Sequence, residues 1–367
     1  MWLCVLWCTG WSVRWWGSLR LPVMTSQDRV LLRHHGDVDA APGLVDFAVN
    51  VRMAAPPGWL RERLAGVLGR LGSYPSVADD LRARSVVAAR HGRGVDEVLI
   101  LSGAAEGFAL LPALRPRSAA VVHPSFTEPE VALADAGVPV RRVLLSADDG
   151  YRLRPGLVPE DADLVVLGNP TNPTSVLHPA EVVASLSRPG RVLVVDEAFA
   201  DAVPGEVESL ASARVPGLLV LRSLTKTWGL AGLRAGYALG PPELLARLAL
   251  PRPQWPVSSF VLEAVAACCG PDAVAEAEAS ALECREHTAS AVRSLGDLVV
   301  VPPSAPFLLL RVPDGERVRL SLRDKGIAVR RGDTFPGLTA DHLRVAVRAP
   351  DEFALLVDAL RVVLEER

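Results

Sequence analysis

From about residue 95 onward, short apolar runs alternate with helix-like stretches. EVLIL (97–101), AAVVH (119–123), DLVVLG (163–168), RVLVVDE (191–197), LLVLRS (218–223) and AGYALG (235–240) read as strands. Several are apolar almost throughout, which is the pattern of strands covered on both faces. Segments 104–113, 126–136 and 179–187 between them read as helices. This alternation predicts an α/β fold: a mostly parallel sheet with helices on both faces. From about residue 257 long helical stretches take over. FLLLRV, GIAVR and HLRVAV then predict strands flanking helices, and EFALLVDALRVVLEE predicts a last helix, together a smaller α+β domain. The expected organisation is an N-terminal segment (24–75) that joins the small domain, a large domain (76–270) and a small C-terminal domain (271–367). No internal repeat is visible.

The first 23 residues do not conform. They hold five of the chain's eight tryptophans, and Arg14 and Arg20 interrupt the apolar stretch. The stretch is too short and broken to span a membrane. It also lacks the positive start and small-residue cleavage site of a signal peptide. We read translation from an upstream start, with residues 1–23 disordered or absent in the cell and Met24 opening the ordinary sequence.

Composition narrows the class. A chain of 367 residues, half of them hydrophobic and 22% charged, suits a globular enzyme. A net charge of -3 and no basic run give no reason to expect a nucleic-acid partner. Five cysteines, at 4, 8, 268, 269 and 284, form neither a disulfide framework nor a zinc spacing. They read as reduced thiols in the cytoplasm. Lysine is the informative residue. Only Lys226 and Lys325 occur among 39 basic residues. Arginine cannot lose its proton and attack a carbonyl; a lysine amine can. Lys325 sits in a charged helical stretch before Gly326 and reads as surface.

Lys226 has company. Ligands in open α/β sheets sit beyond the C-terminal strand ends, and four polar features lie there. Ser102-Gly103-Ala104-Ala105-Glu106 follows EVLIL, Asn172 lies in NPTNPTS after DLVVLG, Asp196 ends RVLVVD, and Ser223, Thr225 and Lys226 follow LLVLR. A small-residue helix start offers free amides and a positive dipole end to a phosphate, and Arg234 can add a bidentate contact. A buried carboxylate at Asp196 can keep a pyridine nitrogen protonated. Separately, the Ser223-x-x-Lys226 spacing suits a serine nucleophile with a lysine base.

VDFAVN, YPS at Tyr74, SGAAEG, NPTNPTS, VVDEAF, RSLTKTWGLAGLRAGY and LRVAVR together resemble the pyridoxal phosphate enzymes of aspartate-aminotransferase fold (aminotransferase class I/II). The resemblance runs from about residue 44 to the end. Within that family the segments are similar to histidinol-phosphate aminotransferases and to the threonine-phosphate decarboxylases of cobalamin synthesis. It implies pyridoxal 5'-phosphate bound covalently at Lys226, with Asp196 on the pyridine nitrogen, Asn172 on the ring oxygen and Phe126 stacked on the ring. It further implies that Gly103, Ala104, Ala105, Ser223 and Arg234 hold the phosphate, and that Tyr74 reaches the neighbouring subunit's phosphate in a homodimer with shared sites. Arg344 matches the substrate-carboxylate arginine, and Asn50 is expected to line the substrate pocket.

The resemblance leaves the reaction open. Phe199 in VVDEAF stands where many aminotransferases carry tyrosine, and RSLTK, QWPVSS and RVAVR also look more like the decarboxylase. Arg344 and Arg348 are four apart, so an extended strand reaching both would place them on one face, able to divide a carboxylate and a phosphate. We therefore expect a threonine-phosphate decarboxylase acting on a small, phosphorylated amino acid, with an aminotransferase as the alternative. Two departures weigh on the details. Ser175 stands where relatives usually have glycine, and Asn50 to Pro56 lacks the usual N-x-N-P-x-G-P. Two other classes are disfavoured. A DNA-binding regulator needs an upstream helix-turn-helix, where this chain has the short tryptophan-rich segment. A nicotinamide enzyme needs G-x-G-x-x-G after an early strand, and none is present.

Overall fold

The computed structural model describes residues 25–366; the expectation about residues 1–23 lies outside them. Helices α1 (Ser26–Leu32) and α2 (Gly36–Asp39) lead to a short strand β1 (Val45–Asp46), and α3 (Gly58–Ala65) and α4 (Val77–His91) follow. The chain then lays down β2 (Val98–Leu101), α5 (Ala104–Leu110), β3 (Ala119–His123), α6 (Glu128–Asp135), β4 (Val140–Leu144), β5 (Leu164–Gly168), α7 (Ala180–Ala184), β6 (Val192–Asp196), β7 (Leu218–Ser223) and β8 (Gly236–Leu239). Helices α8 (Pro242–Ala249), α9 (Ser259–Cys268) and α10 (Pro271–Leu295) precede β9 (Phe307–Arg311), α11 (Gly315–Asp324), β10 (Ile327–Ala328), β11 (Arg330–Arg331), β12 (His342–Ala346) and α12 (Pro350–Glu365).

Seven strands form one sheet in the order β2-β8-β7-β6-β5-β3-β4. The pairings among β7, β6, β5, β3 and β4 are parallel, and β8 runs antiparallel to both neighbours. Alternate residues of each strand feed opposite cores. Val165, Leu193, Val195 and Val220 pack with α4 and α9 residues such as Val87 and Val265. Val166, Val194, Leu219 and Leu221 pack with Phe108 of α5 and Leu244, Leu245 and Leu248 of α8.

The C-terminal part forms a second core. β9 pairs antiparallel with β12, and β12 with β11; α11 and α12 cover them through Val318, Leu322, Phe353, Leu356 and Leu360. The N-terminal segment enters this part, because β1 pairs parallel with β10 and Phe47 is wholly buried in the same core. α10 serves both cores: Ala273 and Ala277 lie in the large one, Ala291 and Leu295 in the small one. The boundary expected at 270/271 thus falls at the start of a helix that the two parts share. No helix among the described residues is long and apolar enough to cross a membrane.

Candidate active site

The C-terminal ends of five parallel-running strands open onto a cavity of about 520 Å³. β2 contributes Ala104 and Ala105, β3 leads to Phe126, β5 to Asn172, β6 ends on Asp196, and β7 leads through Ser223 and Thr225 to Lys226; all line the cavity. The opposite wall comes from outside the large sheet: His35, Gly36, Asp37 and Asn50 from the N-terminal segment, and Arg330, Phe335 and Arg344 from the C-terminal part. The large sheet supplies the floor, and the wall depends on how the ends of the chain fold over it.

Each polar group has a physical setting. Gly103, at the N-cap of α5, adopts φ 75° and has no side-chain cap above it. A Cβ there would lie 3.0 Å from the Arg234 guanidinium, so glycine lets that arginine lie across the start of the helix. The result is a small-residue turn with uncapped amides beside a cation, suited to an anion. Lys226 is partly buried, and its ammonium is pulled down to about 8, first by burial and then by the cations Arg344 and Arg234, with Asp196 opposing. Burial raises the Asp196 carboxyl to about 6, against the Ala198 amide and Lys226; that amide donates to Oδ1 at 3.0 Å. Asp196 therefore favours a cationic partner inside the cavity.

Arg344 organises the far wall. Its Nη1 donates to Asn172 Oδ1 at 2.9 Å and its Nη2 to the Ala48 carbonyl. With Oδ1 occupied, Asn172 keeps its NH₂ as the group free to donate. Burial and Arg330 lower the proton affinity of Arg344, which stays charged at neutral pH because a guanidinium starts so high. Its Nε, the Thr225 hydroxyl and both polar atoms of the Asn50 amide are buried without a hydrogen-bond partner. Those are the groups a bound molecule would satisfy.

Two expected site residues lie elsewhere. Arg348 does not line the cavity, and the expectation that it shares a substrate-facing side with Arg344 fails because β12 ends at Ala346. Its guanidinium instead donates to the carbonyls of Asp46 (2.8 and 3.1 Å), Val49 (2.8 Å) and Val51 (3.0 Å), clamping the segment that carries Asn50. Tyr74 is also outside this chain's cavity; it is 73% exposed and stacks on Trp255 with ring centroids 4.1 Å apart.

Other lining residues were not singled out from sequence. Arg330 stands directly opposite Arg344 in the β11–β12 register and is 2% exposed. It donates to Thr334 Oγ1 at 2.6 Å, pairs with Asp39 at 3.4 Å and lies 4.8 Å from the Phe335 ring centroid. Across the mouth, His35 Nε2 meets Glu128 Oε1 at 2.6 Å, and the His35 ring lies 5.1 Å from that of Phe126. In a chain this rich in arginine, Arg330 carried no signal; only the strand register brings it beside Arg344.

Comparison with known proteins decides the family. The aminotransferase class I and II family matches residues 45–360. This chain belongs to the class I and II aminotransferase family. A histidinol-phosphate aminotransferase of Mycobacterium tuberculosis is 56% identical over 331 residues, covering 89% of this chain and 90% of the relative. The threonine-phosphate decarboxylase of Salmonella typhimurium is 31% identical over 339 residues, covering 88% of this chain and 91% of its own. Among solved structures, the histidinol-phosphate aminotransferase from Clostridium acetobutylicum superposes with TM-score 0.79 at 23% identity, over 88% of this chain and 99% of that one. The L-threonine-O-3-phosphate decarboxylase from Porphyromonas gingivalis gives 0.77 at 23%, over 87% and 99%.

Members of this family are pyridoxal phosphate enzymes that act on small amino-acid substrates, and the cavity suits that cofactor. It offers a lysine of lowered pKa, a carboxyl wanting a cation, and an uncapped helix start beside Arg234. The comparisons favour the alternative expectation, an aminotransferase, over the decarboxylase: the aminotransferase relative is 56% identical and the decarboxylase 31%.

Proposed function

We propose that this chain is an aminotransferase for a small phosphorylated amino compound, with histidinol phosphate as the first candidate. The observation that carries the reaction is the 56% identity to a histidinol-phosphate aminotransferase across nearly the whole chain. The neighbouring Arg330 and Arg344 support the anionic substrate, since two buried guanidiniums on facing strands suit a phosphate or carboxylate.

In this reading Lys226 bonds to the cofactor, Asp196 faces its ring nitrogen, Asn172 its ring oxygen and Phe126 its ring face. The amides of Ala104 and Ala105, with Gly103 making room, join Ser223 and Arg234 on its phosphate. Bound there, pyridoxal phosphate supplies an electron-withdrawing ring that stabilises charge developing at the substrate α-carbon. The protein's residues select the bond. Arg344 and Arg330 pin the substrate anion, and the α-carbon bond held perpendicular to the ring is the one that breaks. Lys226, with its amine near neutrality, accepts the α-proton and returns it at a neighbouring atom. Asn50 completes the substrate wall, held in place by Arg348. A cytoplasmic homodimer belongs to the same reading: Tyr74 stacks on Trp255, and Leu68, Leu71 and Val77 near Tyr74 in the chain and Leu250 near Trp255 are exposed apolar residues that a second copy would cover.

The deciding experiment supplies cofactor-loaded protein with histidinol phosphate and 2-oxoglutarate and follows glutamate. In parallel, O-phosphothreonine is supplied alone and carbon dioxide is followed. Glutamate formation without carbon dioxide is expected. Carbon dioxide and aminopropanol phosphate over many turnovers would replace this reading with the decarboxylase, and silence in both would remove this substrate class.

A further inference from the structure

Phe126 sits in the loop between β3 and α6, and a set of buried polar groups that no step above uses is gathered on that loop. His123, the last residue of β3, is fully buried, and so nearly is Glu130, in the first turn of α6. His123 Nε2 meets Glu130 Oε2 at 2.8 Å, and the Ser125 hydroxyl lies 3.3 Å from His123 Nδ1. Arg142 of β4 completes the set. Its Nε donates to the two Glu130 oxygens at 2.9 and 3.1 Å, and its Nη2 lies 2.7 Å from Oε1. The arginine that interrupts the apolar pattern of β4 thus has a buried partner.

The donor set fixes the protons. Burial would raise the Glu130 carboxyl, but the His123 hydrogen bond and then Arg142 bring it below the ordinary range. An ionised carboxylate only accepts, so His123 Nε2 carries the hydrogen of that bond. Burial holds the His123 ring below the usual imidazole range despite Glu130, and a neutral ring leaves Nδ1 to accept from Ser125. A serine, a histidine and a glutamate in hydrogen-bond sequence are the residue types of a nucleophilic array. That use is closed off here, because Ser125 is 4% exposed and none of the three lines the cavity. Their place in the chain gives the other use. His123 and Glu130 stand at the two ends of residues 124–129, and their contact closes that stretch with Phe126 inside it. Ser125 pins it from within, one residue before Phe126. Phe126 and Glu128, the partly buried members of the stretch, are the two that line the cavity.

We propose that His123 is a positioning residue for Phe126: clasped to Glu130, it holds the loop between β3 and α6 in the shape that presents the aromatic ring to the cavity. Loops are otherwise the mobile part of a site at the end of a sheet. The clasp draws its stiffness from three elements, since β3 supplies the imidazole, α6 the carboxylate and β4 the guanidinium. It sets the backbone from which the Phe126 ring reaches Phe108 and His35, 5.8 and 5.1 Å away between centroids.

The inference rests on Phe126 facing the cofactor ring. Wild-type protein that takes up no pyridoxal phosphate, or Phe126→Leu that holds it as tightly as wild type, would fail that reading and the inference with it. The clasp itself is tested by a cycle of His123→Leu, Phe126→Leu and the double variant. The readouts are the dissociation constant of pyridoxal phosphate, the absorbance of the bound cofactor, kcat and KM. Each single variant should weaken cofactor binding several-fold, the size of one lost aromatic contact. The double variant should bind no more weakly than Phe126→Leu alone, because the clasp acts through that ring. His123→Gln, whose amide can donate to Glu130 from near the place of Nε2, should stay near the wild-type constant. Losses that multiply in the double variant would show that His123 acts apart from Phe126 and overturn the proposal. So would His123→Gln binding as weakly as His123→Leu, or a His123→Leu protein with a lower melting temperature but unchanged constant and absorbance. Should His123→Leu fail to fold, Glu130→Leu breaks the same clasp and enters the same cycle.

Discussion

Lys226 shows how far a single residue can be read. Its rarity in an arginine-rich chain marked it, and its place after an apolar strand gave it a site. Sequence could not give its proton affinity, which depends on groups from three parts of the chain. Burial leads, Arg344 and Arg234 add to it, and together they bring the amine to about 8. Only the neutral amine attacks the cofactor aldehyde. Uptake of pyridoxal phosphate by apoprotein should therefore speed up as pH rises and level off above about 8; a rate still climbing toward 10.5 would show an unshifted lysine. Lys226→Ala should abolish both turnover and the absorbance of the covalently held cofactor, and intact turnover would sink the assignment. Arg330 is the converse case. It was hidden among 37 arginines, and nothing local separates it from Arg331 next to it, which pairs with Asp333. The difference lies in the strand register with Arg344, which a single sequence does not print.

At the scale of elements, the apolar strands of the sheet interior were legible because burial on both faces leaves an unmistakable run. β4 was missed: Arg141 and Arg142 interrupt it, and as an edge strand it has one flank unpaired. The reversed direction of β8 was equally invisible, since an apolar run reads the same whichever way it points. Two residues tie neighbouring elements together through their side chains. Arg348, expected on the substrate, is the rivet between the C-terminal part and the 46–51 segment. Lysine cannot reproduce its planar fork, so Arg348→Lys should cost about 2 kcal/mol in denaturant unfolding and raise KM several-fold as Asn50 loosens, with kcat less affected. Ser175, standing where relatives usually have glycine, adopts a left-handed φ of 62°. Its hydroxyl donates to the Ala305 carbonyl at 2.9 Å and accepts from the Ala305 amide at 2.8 Å, tying the β5 loop to the approach to β9. Ser175→Gly would relieve about 1 kcal/mol of backbone strain but strand the buried Ala305 amide at about 1–3 kcal/mol, while the Ala305 carbonyl keeps the Phe307 amide at 2.7 Å. Net destabilisation of about 1 kcal/mol is expected. A variant as stable as the parent would mean that water replaces the hydroxyl.

For the whole molecule, the site is assembled from segments that meet only after both cores form. The sheet edge supplies the floor, the N-terminal segment and the β11–β12 pair supply the wall, and α10 runs through both cores. One expected member, Tyr74, stays outside, exposed against Trp255. If the protein is a dimer with shared sites, the tyrosine belongs to the partner's cavity, and this can be decided by mixing two crippled chains. A Lys226→Ala subunit has no functional site of its own but an intact Tyr74. A Tyr74→Ala subunit keeps its lysine but offers its partner nothing. Random reassociation under a two-fold dimer places half the subunits' worth of chains in mixed dimers, each with one complete site. Activity should then recover to about one quarter of wild type when the two variants are unfolded and refolded together. Were Tyr74 to serve its own subunit, the only lysine-bearing site in the mixed dimer would still lack it. Activity would then stay at the level set by the Tyr74→Ala chain alone, and the shared-site dimer would be ruled out.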